Sequence, residues 1–260
     1  MLEINRIYNM DCLEGMKLIP DKSIDMILCD LPYGTTACKW DTIIPFEPLW
    51  EQYKRIIKDN GAIVLTASQP FTSALVMSNI KMFKYCWYWR KERGTNFATA
   101  KYMPMKVIEE CVVFSKNKTI YNPELRKVKP YKHVLPLPKE NHSQHLSSSS
   151  LDDNGERIYK TYDTAQPENV IEIPRDNMYK NGSLHPTQKP VALFEYLIKT
   201  YTNEGETVLD NCMGSGTTAI ACINTNRNYI GFELDKHYCD IANERIRKAL
   251  ADSTRKDYDK

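Results

Sequence analysis

Thr207-Val208-Leu209-Asp210-Asn211-Cys212-Met213-Gly214-Ser215-Gly216-Thr217-Thr218 begins as an apolar run, ends that run on a carboxylate and turns through two glycines. The run reads as a buried strand. Ala219-Ile220-Ala221-Cys222, which follows, reads as the start of a helix. Glycines in such a turn let a ligand come close to the backbone and let the helix begin tightly against the strand. A Gly-x-Gly turn alone is common in loops that bind nothing. Its context is more selective: Asn228-Tyr229-Ile230-Gly231-Phe232-Glu233 reads as the next strand and again ends on an acid. Strand, glycine turn, helix, strand and terminal acid form the order of a dinucleotide-type half-fold, in which the acid takes two ribose hydroxyls.

Near the other end of the chain, the apolar run Ile24-Asp25-Met26-Ile27-Leu28-Cys29 leads into Asp30-Leu31-Pro32-Tyr33 and then Gly34. An Asp-x-Pro turn ends many ordinary strands. A carboxylate at a strand edge beside an aromatic ring also suits a polarised amino group on a flat heterocycle, which Asp30 can bond and Tyr33 can cover. Between these stretches strands and helices alternate. Strands are predicted over residues 4–8, 62–66, 85–89 and 111–115, the last two paired. Helices are predicted over 14–19, 46–58, 70–79, from Pro190 to before Gly205, and over 235–250. On the 46–58 helix Leu49, Tyr53, Ile56 and Ile57 share a face; on the helix opened by Pro190 the inward residues are Val191, Phe194, Leu197, Ile198 and Tyr201. The fold class is α/β, a doubly wound, mostly parallel sheet covered on both faces, with its site at the strand C-termini.

Taken together these stretches resemble the S-adenosylmethionine-dependent DNA amino-methyltransferases, which methylate adenine N6 or cytosine N4. Asp30-Leu31-Pro32-Tyr33 is similar to their catalytic Asp-Pro-Pro-Tyr, and residues 210–218 to their cofactor loop. His185-Pro186-Thr187-Gln188-Lys189-Pro190 matches a further signature, and Asn9-Met10-Asp11-Cys12-Leu13-Glu14 resembles the stretch whose Asp meets the cofactor's adenine. The catalytic motif precedes the cofactor loop, the order of the circularly permuted beta group. The resemblance covers about residues 4–115 and 181–250. Leu31 stands where the family has Pro, keeping the backbone carbonyl and losing the ring that fixes φ. Cys212 stands where the family has Phe, removing an aromatic wall.

The resemblance implies S-adenosyl-L-methionine as cofactor. It is held by Asp11 and Cys12 at the adenine, Glu233 at the ribose, and Asp210, Cys212, Gly214, Ser215, Gly216 and Thr217 at the methionine end, with Thr187 and Lys189 by resemblance only; Lys189 could equally cap the following helix. It implies that Tyr33 stacks on a flipped base while Asp30 and the Leu31 carbonyl take its two amino hydrogens, Pro32 shaping the turn. Asp at position 30 favours adenine N6, with cytosine N4 as the alternative. A methyltransferase acting on RNA or protein, or a silent DNA-binding homologue, are the competing classes.

Charge supports a nucleic-acid partner. Formal net charge is only +2, but residues 81–106 carry seven Lys/Arg against Glu92 alone, interleaved with aromatic rings. Arg90, Lys91, Arg93, Asn96 and Lys101 are the predicted DNA-facing residues of a loop over 90–106; residues 85–89 read equally well as strand core. Residues 116–139 carry seven basic residues and one acid, residues 140–176 eight acids and three basic residues, and Ser147 to Ser150 is low in complexity and reads as mobile. The domain reading is therefore 1–115 as the catalytic half, 116–180 as a partly disordered target-recognition insertion with Arg126, Lys127 and Lys129 on phosphates, and 181–260 as the cofactor-binding half.

The eight cysteines show no Cys-x-x-Cys spacing, which predicts reduced thiols with neither zinc nor disulfides. His142 and His145 lack ligands at metal spacing. The N-terminus has no signal-peptide pattern and no run approaches 18 apolar residues, so a soluble, cytoplasmic protein without membrane contact is expected. Double-stranded DNA is the predicted partner; a homodimer and a cognate restriction endonuclease are left open.

Overall fold

The computed structural model describes residues 2–35, 41–134, 159–175 and 188–258. Thr187, His185, Pro186, His142, His145 and the serine run 147–150 lie outside them. The chain divides into two compact units, one of residues 1–122 and 169–260, the other of residues 123–168.

The larger unit is built on an eight-stranded sheet. Its strands are β1 (Arg6–Asn9), β2 (Ile24–Asp30), β3 (Ile57–Ala67), β4 (Phe83–Thr95), β5 (Lys106–Phe114), β8 (Val170–Glu172), β9 (Thr207–Asp210) and β10 (Asn228–Glu233). They lie in the order β1-β10-β9-β2-β3-β5-β4-β8. Every pairing is parallel except those of β5, which runs against both β3 and β4. The predicted pairing of 85–89 with 111–115 is present, with Trp87 opposite Cys111. Among the described residues six helices accompany the strands: α1 (Cys12–Lys17), α2 (Phe46–Ile56), α3 (Phe71–Ser78), α4 (Val191–Tyr201), α5 (Thr217–Asn224) and α6 (Lys236–Tyr258).

Period-two alternation in β2 explains the double cover. Ile27 and Cys29 join Met16, Leu49, Tyr53, Phe71 and Phe232 in a core built with α1, α2 and α3. Met26 and Leu28 point the other way, to Phe194, Leu197, Ala219 and Ile246 of α4, α5 and α6. Each fully buried Ile or Leu contributes about 2 kcal/mol of hydrophobic stabilisation. With both faces covered, β2 from Met26 to Cys29 and β3 from Ala62 to Leu65 read as unbroken apolar runs, and each meets a polar residue, Asp30 and Thr66, at its C-terminal end.

One stretch differs from expectation. The predicted 90–106 loop is a continuation of β4 as far as Thr95, followed by a short 3-10 turn at Phe97–Thr99 and the start of β5. Alternation simply continues: Trp87, Trp89 and Lys91 face inward, while Tyr88, Arg90 and Glu92 face out. Lys91 therefore does not lie on a DNA-facing loop. It is 6 % exposed, and its buried charge is met by Glu109 on β5, which an apolar pattern cannot reveal. α6 also runs beyond the predicted end at 250.

The smaller unit is an antiparallel pair, β6 (Arg126–Val134) with β7 (Tyr159–Ala165), in which Tyr131 and Tyr162 are partners with rings stacked at 5.8 Å. Composition had predicted no element here. Among the described residues no helix is long and apolar enough to cross a membrane, and the seven described cysteines are free thiols.

Candidate active site

Two carboxylates end neighbouring strands. β2 and β9 pair through Met26 with Val208 and Ile27 with Leu209, so Asp30 and Asp210 emerge at the same edge of the sheet. This is where the strand order reverses: β9 and β10 lie on one side with β1, and β3 on the other. In open α/β sheets the crevice outside the strand C-termini at such a switch point is where ligands bind.

Asp30 is the hub of a half-buried cluster. The Tyr33 hydroxyl donates to Oδ1 at 2.8 Å and lies 3.0 Å from Thr66 Oγ1, whose own hydroxyl donates to the same oxygen. Lys189 Nζ donates to both carboxylate oxygens, at 2.8 and 2.7 Å. The same ammonium lies 3.5 Å from Glu109 Oε2, and Lys91 Nζ lies 2.6 Å from Glu109 Oε1. Tyr33 stacks on Phe71 of α3, with ring centroids 5.2 Å apart. Burial works to lower the Lys189 pKa, but Asp30 and Glu109 outweigh it and hold the ammonium above the ordinary lysine value. Burial likewise works to raise that of Glu109, and the two lysines overcome it and hold it down. Burial, reinforced by Asp30 and Glu109, keeps the Tyr33 phenol well above its usual range. Gly34 and Thr35 donate backbone N–H groups to Asp41 at 2.8 and 2.9 Å, which ties down the turn after Tyr33.

The glycine turn lies at the end of β9. Asp210 is buried, accepts from Cys212 N at 3.0 Å and from the Thr218 hydroxyl, and has its pKa raised to about 6 chiefly by burial. Gly214 and Gly216 both have positive φ, 55° and 86°, which the turn requires and a side chain would resist. A Cβ at Gly214 would meet only Cys212 O, at 4.0 Å, whereas one at Gly216 would press on Ala242 of α6 at 3.0 Å. The first glycine therefore leaves open space above the turn and the second lets α6 close in behind it. Glu233, at the end of β10, accepts from Gly214 N at 2.7 Å through Oε2 and from Asp235 N at 2.8 Å through Oε1. Burial raises its pKa against those two backbone donors. Ser215 is held by Arg245 and Gln188, and Thr217 begins α5. Asp11 Oδ1 caps α1 through Leu13 N and Glu14 N. Cys12 is buried beside it, 3.7 Å from Asn211 Nδ2, which also reaches Cys212 Sγ at 3.5 Å.

The structure thus brings Asp30, Leu31, Pro32 and Tyr33 to one strand end and Asp210, Cys212, Gly214, Ser215, Gly216, Thr217 and Glu233 to the turn beside it. Lys189 joins the Asp30 cluster and makes no cap for α4, whose N-cap is Pro190. Of the expected DNA-facing set, Arg90 is exposed and paired with Glu172, while Arg93, Asn96 and Lys101 are exposed around the β4–β5 hairpin. Arg126, paired with Glu168, and the exposed Lys127 and Lys129 belong to the β6–β7 unit. Sequence reasoning missed Thr66, Glu109 and Asp41. Each is a polar residue in a strand or loop with no motif to mark it.

A mostly parallel α/β domain with a carboxylate cluster beside a glycine turn closed by a second acid fits a transferase using a nucleoside-bearing cofactor. The family model for DNA methylases of the N6/N4 class matches residues 24–244, and the chain belongs to that family. It is 28 % identical over 264 residues to the type II methyltransferase M1.MboII of Moraxella bovis, covering 94 % of this chain and 96 % of that one. To the DNA adenine methyltransferase YhdJ of Escherichia coli K12 it is 28 % identical over 269 residues, 94 % and 83 % of the two chains. The crystal structure of M1.HpyAVI with S-adenosylmethionine superposes with a TM-score of 0.59 at 25 % identity, over 92 % and 98 %. The protein is an S-adenosylmethionine-dependent DNA methyltransferase.

The residues at the turn suit that cofactor. The turn is flanked by two acids, Asp210 and Glu233, which suit a ligand bearing a sulfonium and an ammonium. Each Glu233 oxygen accepts one backbone N–H and keeps a lone pair for a ribose hydroxyl.

Proposed function

We propose that this enzyme methylates the exocyclic N6 of adenine at a specific site in duplex DNA, taking the base out of the helix to do so. The observation that carries the reading is the pairing of β2 with β9, which sets the Asp30–Tyr33 cluster beside the glycine turn. The Asp at position 30 and the adenine-specific name of the Escherichia coli relative favour adenine; cytosine N4 is the alternative within the same family.

Asp11, Asp210, Gly214 and Glu233 would hold the cofactor, which when bound supplies an electrophilic methyl group. The chain's own work is orientation. Asp30 Oδ2 accepts from Lys189 alone among the described residues, so it keeps a lone pair for a target N–H. The Leu31 carbonyl takes the second hydrogen. Two acceptors draw the amino nitrogen toward tetrahedral geometry and aim its lone pair into the crevice, and in-line placement of this kind supplies much of the rate. Asp30 need not be a strong base, because the amine becomes acidic as it is alkylated. Tyr33 stacks on the base, worth roughly 1–3 kcal/mol, against an unstacking cost of a few kcal/mol.

Duplex DNA is engaged by the β4–β5 hairpin. Phe97 and Tyr102 are 82 % and 86 % exposed beside Arg93 and Lys101, so rings that can stack sit among cations that can meet phosphates. Lys127 and Lys129 of the β6–β7 unit add phosphate contacts. The relatives' type II names support a restriction–modification role, and a partner nuclease and a cytoplasmic setting are part of this proposal. Expression in a host lacking DNA methylation, followed by nucleoside mass spectrometry, tests the reading. N6-methyladenine supports it, N4-methylcytosine replaces it with the alternative, and neither base above background overturns it.

A further inference from the structure

The carboxylate assigned to the target amino group is already crowded. Asp30 Oδ1 takes donors from Tyr33, Thr66 and Lys189, and Oδ2 takes Lys189 again. Oδ1 faces three donors with two lone pairs, and a target N–H on the open side of Oδ2 would bring the carboxylate to five hydrogen bonds for about four lone-pair sites. Some donor must yield: the Tyr33 hydroxyl can fall back only on Thr66 Oγ1 within the same cluster, whereas Lys189, which bonds both carboxylate oxygens, faces a second carboxylate outside it.

That acceptor is Glu109. Its Oε1 is engaged by Lys91 at 2.6 Å. Its Oε2 is, among the described residues, the one buried side-chain oxygen or nitrogen without a hydrogen bond. Lys189 Nζ is its near neighbour at 3.5 Å, beyond the span of a charge-assisted bond. Leaving a buried carboxylate oxygen unpaired is costly, and such groups persist in native proteins where a function uses them. The ammonium sits on a flexible stem with three donors, and a shift of under about 1 Å would close the gap. Lys91, Glu109, Lys189 and Asp30 carry two positive and two negative charges, so the shift moves no net charge into or out of the protein.

We infer that Glu109 is a positioning residue that accepts the Lys189 ammonium as the target amino group takes its place on Asp30. Before the base arrives, Lys189 keeps Asp30 ionised and fixed in the crevice. As the amino hydrogens approach, Lys189 turns to Glu109 Oε2, and Asp30 is freed without ever facing the buried space unpaired. No proton moves in the exchange. The inference rests on the assignment of Asp30 as acceptor of the target N–H.

Single-turnover methyl transfer to a methylatable duplex, with cofactor and DNA binding measured separately, tests it. Glu109→Gln keeps the shape but offers Lys189 no charge. It is expected to slow methyl transfer at least about ten-fold, with both affinities near those of the unmodified protein. In a Lys189→Met background there is no ammonium to pass, so the same substitution should then cost almost nothing. An unchanged rate for Glu109→Gln, or a loss that persists in the Lys189→Met background, overturns the inference; the second result would make Glu109 a mere counter-ion of Lys91. If Glu109→Gln does not fold, Glu109→Asp carries the test, since it keeps the charge but shortens the reach; it should slow transfer, and a normal rate is refuting. Failure of the underlying reading looks different, because the unmodified protein would then place no methyl on adenine or Asp30→Ala would turn over normally.

Discussion

Replacing Asp30 by Ala should do two separable things. It removes the acceptor for the target amino group, so methyl transfer should vanish. It also strands an ammonium, because the Lys189 side chain is 7 % exposed and Asp30 supplies its two short hydrogen bonds. Breaking a buried pair from one side costs about 3–5 kcal/mol. Asp30 is itself 23 % exposed and Glu109 stands close enough to recover part of the loss, so the low end, about 3 kcal/mol, applies. For a chain of this size that is a fall in Tm of roughly 6–9 °C. Adding Lys189→Met removes the stranded charge and should restore most of the lost Tm, while methyl transfer remains absent. Thermal unfolding followed by circular dichroism and transfer of a labelled methyl group to DNA read the two effects independently. A single variant as stable as the parent, or a double variant no better than the single, refutes the energetic argument. Full turnover in either refutes the catalytic one.

Glu233→Ala removes the acid expected to take the ribose hydroxyls as charge-assisted bonds, so calorimetry should show cofactor affinity falling about 10- to 100-fold with duplex binding little changed; equal cofactor affinity would return Glu233 to capping the Gly214 and Asp235 amides. Lys127→Ala with Lys129→Ala should flatten the salt dependence of log K for DNA by up to about 1.8, equally for specific and random duplexes, while Arg126 adds less because Glu168 already holds it at 2.7 Å; an unchanged slope would mark the β6–β7 unit as a solvated surface. Asp210 has its folded pKa near 6 against 3.8 for an ordinary Asp. Between those values the native state keeps a proton that the unfolded chain has released, so stability should fall by about 3 kcal/mol as pH rises through the window and level off above it. Asp210→Asn should abolish that slope in urea midpoints taken from pH 4 to 7, and parallel pH profiles for the two proteins would sink the assignment.

What could be read before the structure was whatever is local in the chain. The apolar runs of β2, β3, β9 and β10 announce themselves because both faces are covered, and the glycine turn because only glycine tolerates its backbone. Lys91 shows where that logic ends. It occupies an inward position of an alternating strand, and Glu109, 18 residues away in the chain, makes its burial tolerable. Thr66 of β3 and, through Lys189, Glu109 of β5 join the Asp30 cluster with nothing on their own strands to mark them, and Lys189 is marked by its motif while its pairing is not. A composition count over residues 81–106 likewise adds Lys91 to a surface it does not reach.

The site depends on spatial strand order and is indifferent to chain order. β9 and β10, the last strands in the chain, insert between β1 and β2, the first. This sets Asp11, at the end of β1, on the same flank as Glu233 at the end of β10, with Asn9 opposite Glu233 in the ladder. It sets Asp30 on the opposite flank, with Asp210 between the two. A crevice flanked by acids from both chain ends can form only when the sheet is assembled, so neither half carries a working site alone. The buried chain Lys91–Glu109–Lys189–Asp30 ties the segment before α4 to β2, β4 and β5, and makes the catalytic carboxylate answerable to four separate parts of the chain.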